Sequence, residues 1–396
     1  MPKYFYPLVE NPYRSKDINR AIKVLKSNKL TSGPISKSFQ DFFTRKLRSN
    51  NSLMVNSGSS ANLLALQCLI NPYRKKRLVK GDEVLIPALC WSTSLWPIIQ
   101  SGLKPIFVDI DVETLNINLN DLKRKISKKT KAILIVHVLG NSTNMEELIK
   151  IKKKNNLILI EDTCESLGTK YKNKFLGTFG EFSSFSFYTS HQISSGEGGM
   201  ICCKDKKDYE IISSLRAHGW SRGLKNERKI ANQNKNLDKR FIFYNSGFNL
   251  RSTDISAAIG FSQFKDLDKF IKIRSVNRKN ILKEFSNNNT IKKNFQILKE
   301  NKNVRASWFG LPIMIKTKIK RLKIINSLEK SGVETRPIIS GNFLKQPAIK
   351  KYKINSNKKF KNADYVNEKG FFIGLQTRIM KHNHLKKLVR AFEKSV

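Results

Sequence analysis

Between residues 51 and 162, short continuous apolar runs alternate with stretches whose apolar residues recur at helical spacing. The runs are 53–55, 83–87, 105–109, 132–138 and 157–160, and the helical stretches are 63–69, 92–100, 119–126 and 145–154. A strand that is apolar throughout is buried on both faces, and helices between such strands cover a parallel sheet. The pattern therefore predicts an α/β fold with a mainly parallel sheet, whose functional residues lie beyond the carboxyl ends of the strands.

The chain has 396 residues, which exceeds the usual size of one domain, and 39% of them are hydrophobic. We expect a large α/β domain over residues 1–270, including helices at its start, and a smaller α+β domain over residues 271–396. The strand at 307–314 and the polar loop at 334–343 fall in the second domain.

The charge balance is strongly basic, because 75 Lys and Arg residues against 31 Asp and Glu give a net charge of +44. Lysine is scattered through helices and loops alike, which is typical of a compositional bias, so we do not expect nucleic-acid binding. The basicity favours attraction of small anionic substrates. No apolar run approaches the length of about 18 residues that spans a membrane, and we expect a soluble cytoplasmic protein.

The stretch 185–200, F-S-F-Y-T-S-H-Q-I-S-S-G-E-G-G-M, has the composition of a strand followed by a tight polar turn. Alternation of Phe185 and Phe187 predicts a half-buried strand, and the serines and glycines predict the turn. His191 is therefore expected at a strand end, where functional residues concentrate.

Polar residues follow two of the apolar runs. A glycine-serine turn, Gly58-Ser59-Ser60, precedes a helix, which suits either a phosphate site at the helix N-terminus or a plain N-cap at Ser59 or Ser60. Glu161, Asp162 and Glu165 follow the run 157–160, and at least one of these acids should meet a cation. Trp91 follows the run 83–87, and by itself this position is typical of a core tryptophan.

These stretches, together with R-A-H-G-W-S-R at 216–222 and G-F-N-L-R at 247–251, resemble the DegT/DnrJ/EryC1/StrS family of sugar aminotransferases. The resemblance covers nearly the whole chain and implies the aspartate aminotransferase fold, that is, fold type I of the enzymes that use pyridoxal phosphate. In that family the position of His191 is usually the lysine that binds the cofactor covalently. A histidine there resembles the family's sugar 3-dehydratases and implies noncovalent pyridoxal phosphate that cycles with pyridoxamine phosphate.

The resemblance also implies roles for particular residues. His191 would be the catalytic base, and Asp162 would bond the protonated ring nitrogen of the cofactor, which keeps it an electron sink. The other cofactor-binding residues implied are Gly58, Ser59, Ser60, Trp91, Glu165, Ser186 and Asn249. The substrate-binding residues implied are His218, Arg222, Arg251 and Arg336. Because Asn249 and Arg251 match residues that reach into a neighbouring subunit, the family pattern implies a homodimer with shared active sites.

The activity implied is removal of the C3 hydroxyl of a nucleotide-linked 4-keto-6-deoxysugar, with L-glutamate as amino donor. GDP-4-keto-6-deoxymannose is the favoured substrate, although the residues leave GDP and CDP open, and the 4-keto-3,6-dideoxysugar product would serve polysaccharide biosynthesis, such as that of a lipopolysaccharide O-antigen. An aminotransferase that uses another lysine and a catalytically inactive relative remain as alternatives.

The cysteines argue against metal chemistry. A CDP-linked relative with the same histidine carries an iron–sulfur cluster, which needs four cysteine ligands. The five cysteines here form no C-x-x-C pair, and none follows Cys203. We therefore expect neither an iron–sulfur cluster nor another metal site, and we expect core thiols in a reducing compartment.

Overall fold

The computed structural model describes residues 4–354 and 359–396 of the chain. Its α-helices are α1 (Ser15–Lys26), α2 (Pro34–Leu47), α3 (Gly58–Leu69), α4 (Ser92–Gln100), α5 (Leu119–Lys125), α6 (Met145–Lys154), α7 (Lys206–Arg216), α8 (Glu227–Gln233), α9 (Asp254–Lys265), α10 (Leu267–Ser286), α11 (Asn289–Asn294), α12 (Arg321–Lys330), α13 (Pro347–Lys351), α14 (Lys361–Lys369) and α15 (His382–Glu393). Short 3₁₀ turns occur at Val138–Gly140, Lys239–Phe241 and Phe343–Lys345.

The strands form three sheets. They are β1 (Asn51–Val55), β2 (Glu83–Pro87), β3 (Lys104–Val108), β4 (Thr130–Val136), β5 (Ile158–Asp162), β6 (Lys170–Tyr171), β7 (Lys174–Phe175), β8 (Phe182–Ser186), β9 (Gly199–Cys203), β10 (Phe295–Ile297), β11 (Val304–Arg305), β12 (Gly310–Ile315), β13 (Thr335–Arg336) and β14 (Gly370–Gly374). The largest sheet has the order β1-β9-β8-β5-β4-β2-β3, and β8, β5, β4, β2 and β3 run parallel to their neighbours in that row. The two pairs that involve β9 are antiparallel. This arrangement confirms the mainly parallel sheet predicted from the sequence.

The prediction that the strand at Phe185 and Phe187 is half-buried was wrong. Strand β8 ends at Ser186 and is buried at every position, because it lies between β5 and β9 in the middle of the sheet. On one face the ring of Phe185 packs 5.1 Å from that of Phe43 on α2, and on the other face Ser186 packs against Gly58 of α3. A central strand covered on both faces has no alternating polar side.

The smaller sheet is antiparallel, with the order β10-β12-β14-β13, and α12, α14 and α15 lie in the same part of the chain. A third sheet joins β11 to β6 and β7, so residues 304–305 pair with residues 170–171. The proposed boundary after residue 270 falls inside α10. The division into two domains stays a prediction.

Two further expectations from the sequence need correction. Residues 224–240 are polar and rich in lysine, which predicts a mobile loop, but they contain α8 and the start of a 3₁₀ turn. The sequence from 255 to about 285 predicts one long helix, but the structure has two, α9 and α10, which are separated at Asp266. The carboxylate of Asp266 forms ion pairs with Arg14, the N-cap residue of α1, and with Lys16 in its first turn. In the part of the chain that the structure describes, no helix has both the length and the apolar character needed to cross a membrane.

Candidate active site

A cavity of about 560 Å³ opens at the carboxyl ends of the parallel strands, between the large sheet and the strands β13 and β14. Eight residues predicted from the sequence line it: Gly58, Ser59, Trp91, Asp162, Glu165, Ser186, His191 and Arg336. A lysine-rich surface depression of about 1360 Å³ lies elsewhere, near β6, β7 and α10. The smaller cavity is the candidate active site because it combines a histidine, buried carboxylates, an aromatic ring and a helix N-terminus.

The N-terminus of α3 forms one end of the cavity. The N-cap is Ser57, whose hydroxyl accepts a hydrogen bond of 3.1 Å from the backbone N–H of Ser60, so neither Ser59 nor Ser60 is the N-cap. Ser59 lines the cavity and bonds the hydroxyl of Thr93 at 2.8 Å. The hydroxyl of Ser60 is buried and donates to Asn56 at 2.6 Å.

Glycine is required at position 58 by close packing. A Cβ atom there would lie 2.6 Å from Sγ of Cys164 and 2.8 Å from Cβ of Ser186. Both distances are shorter than van der Waals contact. The missing side chain lets the start of α3 approach the ends of β5 and β8, which brings its free N–H groups to the cavity.

Asp162 is the last residue of β5 and is 4% exposed. Its Oδ2 accepts hydrogen bonds from Asn62 at 2.8 Å and from Ser94 at 2.7 Å, and its Oδ1 accepts one of 3.2 Å from the N–H of Cys164. No Lys or Arg pairs with this carboxylate among the residues described. Neutral donors thus orient an acceptor that faces the cavity and suits a cationic ligand group.

The neighbouring acid, Glu161, has a structural role. Its carboxylate accepts hydrogen bonds from the N–H groups of Gly177, Phe179 and Gly180 at 2.6 to 2.8 Å, and it lies 3.1 Å from Nε2 of His137. Burial alone would raise the pKa of Glu161, but the contact with His137 and the backbone donors lower that pKa below its ordinary value. The backbone N–H groups and the ring of His137 therefore satisfy this buried carboxylate, and no Lys or Arg pairs with it among the described residues. Both acids belong to β5, which the sequence had predicted to end at residue 160.

Glu165 faces the same cavity as Asp162. Its Oε2 accepts a hydrogen bond of 2.8 Å from the N–H of Leu139. Burial, together with the negative charge of Asp162, raises the pKa of Glu165 to about 7 against the lowering effect of that hydrogen bond. The side chain can therefore hold or lose a proton near neutral pH.

His191 lies in the connection between β8 and β9, five residues beyond the end of β8 and not at a strand end as predicted. Its N–H donates to the carbonyl of Tyr188 at 2.9 Å, and its ring packs edge-on against Phe309, with the ring centres 5.6 Å apart. Nδ1 is buried and has no hydrogen-bond partner among the described residues. Burial lowers the pKa of His191 to about 4, so the imidazole is neutral at pH 7 and has a lone pair to accept a proton.

Trp91 and Arg336 lie at the opening of the cavity. Trp91 precedes α4 and is 55% exposed, so it is not a core residue. Arg336 lies on β13 and forms an ion pair of 2.6 Å with Glu334. An exposed indole beside a polar cavity is available to stack on a planar ligand.

Five predicted residues do not line this cavity. One is Ser60, and the other four form a second group at His218, Arg222, Asn249 and Arg251. Arg251 lies 3.3 Å from Nε2 of His218 and donates to Oδ1 of Asn249 at 3.3 Å. The guanidinium groups of Arg222 and Arg251 lie 5.0 and 5.3 Å from the ring centre of Trp220. Arg222 and Asn249 are exposed and His218 and Arg251 are partly buried. The group carries two guanidinium charges, and none of its four members lines the cavity.

Several residues at the cavity were not found from the sequence. They are Asn62 and Ser94, which bond Asp162, and Tyr188 and Phe309, which flank His191. The sequence offers an indication that Asn62 is functional, because Asn62 is a polar residue in an apolar helix, one turn after Gly58. Phe309 carried none, because only the folded chain brings residue 309 beside residue 191.

The cysteines fit the expectation of unpaired thiols. All five are free, four are buried, and Cys164 is partly buried beside the cavity. The described part of the chain contains no group of three or more His, Cys, Asp or Glu side chains arranged to hold a metal ion.

Comparison with known proteins gives one consistent family. The model of the DegT/DnrJ/EryC1/StrS aminotransferase family matches residues 12–393. The chain is 37% identical to GDP-4-keto-6-deoxy-D-mannose 3-dehydratase of Escherichia coli O55:H7 over 93% of this chain and 95% of that protein. It is 32% identical to the lipopolysaccharide biosynthesis protein RfbH of Salmonella typhimurium over 96% of this chain and 89% of that protein.

Solved structures agree with these relatives. A variant of GDP-4-keto-6-deoxymannose-3-dehydratase with bound GDP-perosamine superposes with a TM-score of 0.90, at 36% identity, over 98% of this chain and 100% of that one. The same enzyme with a trapped PLP-glutamate geminal diamine gives a TM-score of 0.89, at 35% identity, over 97% and 99%. The predicted aspartate aminotransferase fold is thereby confirmed. The chain belongs to the DegT/DnrJ/EryC1/StrS aminotransferase family.

Proposed function

We propose that this protein is a pyridoxal-phosphate-dependent 3-dehydratase of nucleotide-linked 4-keto-6-deoxysugars, with GDP-4-keto-6-deoxymannose as substrate and L-glutamate as amino donor. One observation carries the proposal. Asp162 and His191 line the same cavity, and no lysine lines it within residues 4–354 and 359–396. The similarity to proteins named as 3-dehydratases and as a lipopolysaccharide biosynthesis protein supports both this reaction and a role in polysaccharide synthesis.

The cavity has the donor set that pyridoxal phosphate requires. The N–H groups at the start of α3, with the hydroxyls of Ser59 and Ser186, suit the phosphate. The Asp162 carboxylate, held by Asn62 and Ser94, suits the protonated ring nitrogen, and the exposed indole of Trp91 suits the face of the ring. The buried Oδ1 of Asn62 has no partner among the described residues and is available to the same ligand. The residues present therefore fit the cofactor.

When bound and charged with an amino group from glutamate, the cofactor supplies an electron sink that makes a neighbouring carbon acidic. Asp162 would pair with the ring nitrogen and favour its protonated form. Trp91 would stack on the ring, a contact that matters because none of the described cavity residues is a lysine. Ser59, Ser186 and the N-terminus of α3 would hold the phosphate, and together these residues would orient the cofactor toward the side of the cavity that His191 lines.

His191 transfers the protons. With its pKa lowered to about 4, the neutral imidazole is present at pH 7 and accepts a proton from the substrate side of the cavity. The resulting imidazolium is poorly solvated and gives the proton up readily to the departing C3 hydroxyl. A lysine at this position would occupy the cofactor and favour simple transamination.

The second group of residues completes the site from another subunit. His218, Arg222, Asn249 and Arg251 lie outside the cavity of their own chain, and in a homodimer they would reach the cavity of the partner. Guanidinium groups bind carboxylates and diphosphates by paired hydrogen bonds, which suits glutamate and a nucleotide sugar. Arg336, on the cavity wall, would contact the sugar nucleotide.

Two alternatives are less well supported. An aminotransferase that uses another lysine would need that lysine at the cavity. A catalytically inactive relative would have no need of the oriented Asp162 carboxylate or of a histidine whose burial keeps it neutral. The proposed dehydratase uses both features.

The test is incubation with pyridoxal phosphate, L-glutamate and a panel of 4-keto-6-deoxysugar nucleotides that carry GDP or CDP. Mass spectrometry should show a product that lacks one oxygen atom, with an equal amount of ammonia released. An aminated sugar nucleotide as the product would contradict the proposal. His191→Asn should lower the rate by about 10²–10⁴-fold, since it removes the general base. His384→Asn, the same change on the exposed start of α15, is the matched control and should leave the rate unchanged.

A further inference from the structure

Arg274 on α10 is a buried arginine, with 4% of its surface exposed. Each of its three side-chain nitrogens donates a hydrogen bond to a different backbone carbonyl. Nη2 donates to His191 at 3.3 Å, Nη1 to Gln192 at 3.0 Å, and Nε to Leu375 at 3.1 Å. One side chain therefore joins the loop that carries His191 to the residue that follows β14.

The partners of Arg274 are unusual for a buried cation. No carboxylate pairs with it among the described ion pairs, and burial lowers its pKa to about 10. Burial of a charge without a counter-ion is costly, so a side chain that contributed only to stability would be better replaced by an apolar one. The arrangement is explained if the three carbonyls must be held in fixed positions.

The loop 187–198 needs such a support, because it has turns and bends in place of regular structure. Its ends are closed by two backbone hydrogen bonds at Phe187, to Gly198 and Ser195. Gln192 adds a side-chain hydrogen bond of 2.9 Å to the carbonyl of Ser307. At His191 itself, the peptide is fixed by its N–H bond to Tyr188 and by the contact of its carbonyl with Arg274.

We propose that Arg274 is a positioning residue for His191. Its planar guanidinium fixes the 191–192 backbone against the end of β14, and this keeps the imidazole directed into the cavity. This inference rests on the proposed role of His191 as the proton-transferring residue. The positive charge of Arg274 also disfavours protonation of the neighbouring imidazole. A misplacement of about 1 Å in a reacting group can cost about 10²-fold in rate, so a support of this kind has a measurable effect.

The deciding variant is Arg274→Lys, which keeps the charge but loses the planar fork that reaches three separate carbonyls. Arg278→Lys is the matched control. Arg278 lies one turn further along α10, donates to the carbonyl of Leu298 at 2.8 Å and stacks on Trp308 at 5.0 Å, and it has no contact with the 191–192 backbone.

We expect Arg274→Lys to lower kcat at least tenfold, with KM for the sugar nucleotide changed by less than about twofold. Hydrogen exchange of the 188–198 peptide, measured on cofactor-free protein, should become faster in Arg274→Lys and stay unchanged in Arg278→Lys. Exchange does not depend on turnover. If the wild-type protein turned over no sugar nucleotide, the proposed function would fail while the exchange measurement still decided the positioning role.

Wild-type kcat and wild-type exchange in Arg274→Lys would overturn the inference, and so would equal effects of the two lysine variants. If Arg274→Lys failed to fold, Arg274→Gln would take its place, because its amide can donate to at most two of the three carbonyls. Unaltered exchange of the 188–198 peptide in that variant would likewise overturn the positioning role.

Discussion

The side-chain amide of Asn62 donates a hydrogen bond of 2.8 Å to Oδ2 of Asp162, and both residues are almost fully buried. Asn62→Ala removes this donor from a carboxylate that we propose to bind the cofactor ring. A hydrogen bond to a charged group contributes about 1.5–3 kcal/mol, so the Kd for pyridoxal phosphate should rise about tenfold or more. Absorbance titration of the cofactor-free protein measures this affinity.

Asn294→Ala is the control for that measurement. Asn294 is also a buried asparagine, but its amide donates to the carbonyl of Thr290 on α11, outside the cavity. Its substitution should lower stability without altering cofactor affinity. Equal affinities in Asn62→Ala and wild type would show that Asp162 does not bind the ring.

Covalent attachment of the cofactor should depend on residue 191 alone. Borohydride treatment of the wild-type protein loaded with pyridoxal phosphate should leave no modified lysine, because none lines the described cavity. His191→Lys should give one modified lysine at position 191 and should abolish dehydration. Peptide mapping by mass spectrometry distinguishes the two. A modified lysine elsewhere in the wild-type protein would favour an unusual aminotransferase.

Sharing of the active site between subunits predicts complementation. A mixture of His191→Asn and Asn249→Ala chains, after subunit exchange, forms heterodimers in which one of the two sites has both residues intact. In an equimolar random mixture, about a quarter of wild-type activity should return. Mixing His191→Asn with Asp162→Asn is the control, because both residues line the same cavity and no intact site can form. Equal activities in the two mixtures would exclude contribution of Asn249 in trans.

The pKa of Glu165, raised by burial to about 7, predicts a pH dependence of stability. Between about pH 4.5 and 7 the folded protein keeps this proton and the unfolded chain has lost it. The contribution of Glu165 to the free energy of unfolding therefore falls as the pH rises through this window. Glu165→Gln cannot ionise and should lack this component.

Urea unfolding of both proteins at pH 5, 6, 7 and 8 measures that component as the difference between them. The free energy of unfolding of the wild-type protein, minus that of Glu165→Gln, should fall from pH 5 to pH 7. It should change little above pH 8. A difference that does not vary with pH would show that Glu165 ionises alike in the folded and unfolded chains.

The sheet could be predicted from the sequence because runs such as 132–138 and 157–160 need burial on both faces, and this requirement is local. The error at 185–200 has the same origin. Phe185 and Phe187 alternate with serine and tyrosine, but the serines of β8 are small enough to be buried in the centre of a sheet. Alternation in sequence therefore did not mean alternation in exposure.

The candidate site was predictable in part. His191, Asp162 and Trp91 stood out because each follows an apolar run or interrupts a motif. Arg274 could not be found, because α10 carries two arginines and several exposed lysines, and no pattern in the sequence distinguishes the one that is buried. The sequence also could not predict that the site residues separate into a cavity group and a cluster around Trp220. This separation depends on the packing of elements that are distant in the chain.

Adjacent carboxylates on β5 serve opposite sides of the sheet: Glu161 holds the turn at 177–180, and Asp162 faces the cavity. Because side chains alternate along a strand, a single residue inserted between Leu159 and Ile160 would exchange the two orientations. The turn would lose its anchor and the cavity would receive the wrong acid, whereas an insertion of two residues would preserve the parity. An insertion of an odd number of residues into this strand would therefore disrupt both the turn and the cavity, whereas an insertion of an even number would preserve both orientations.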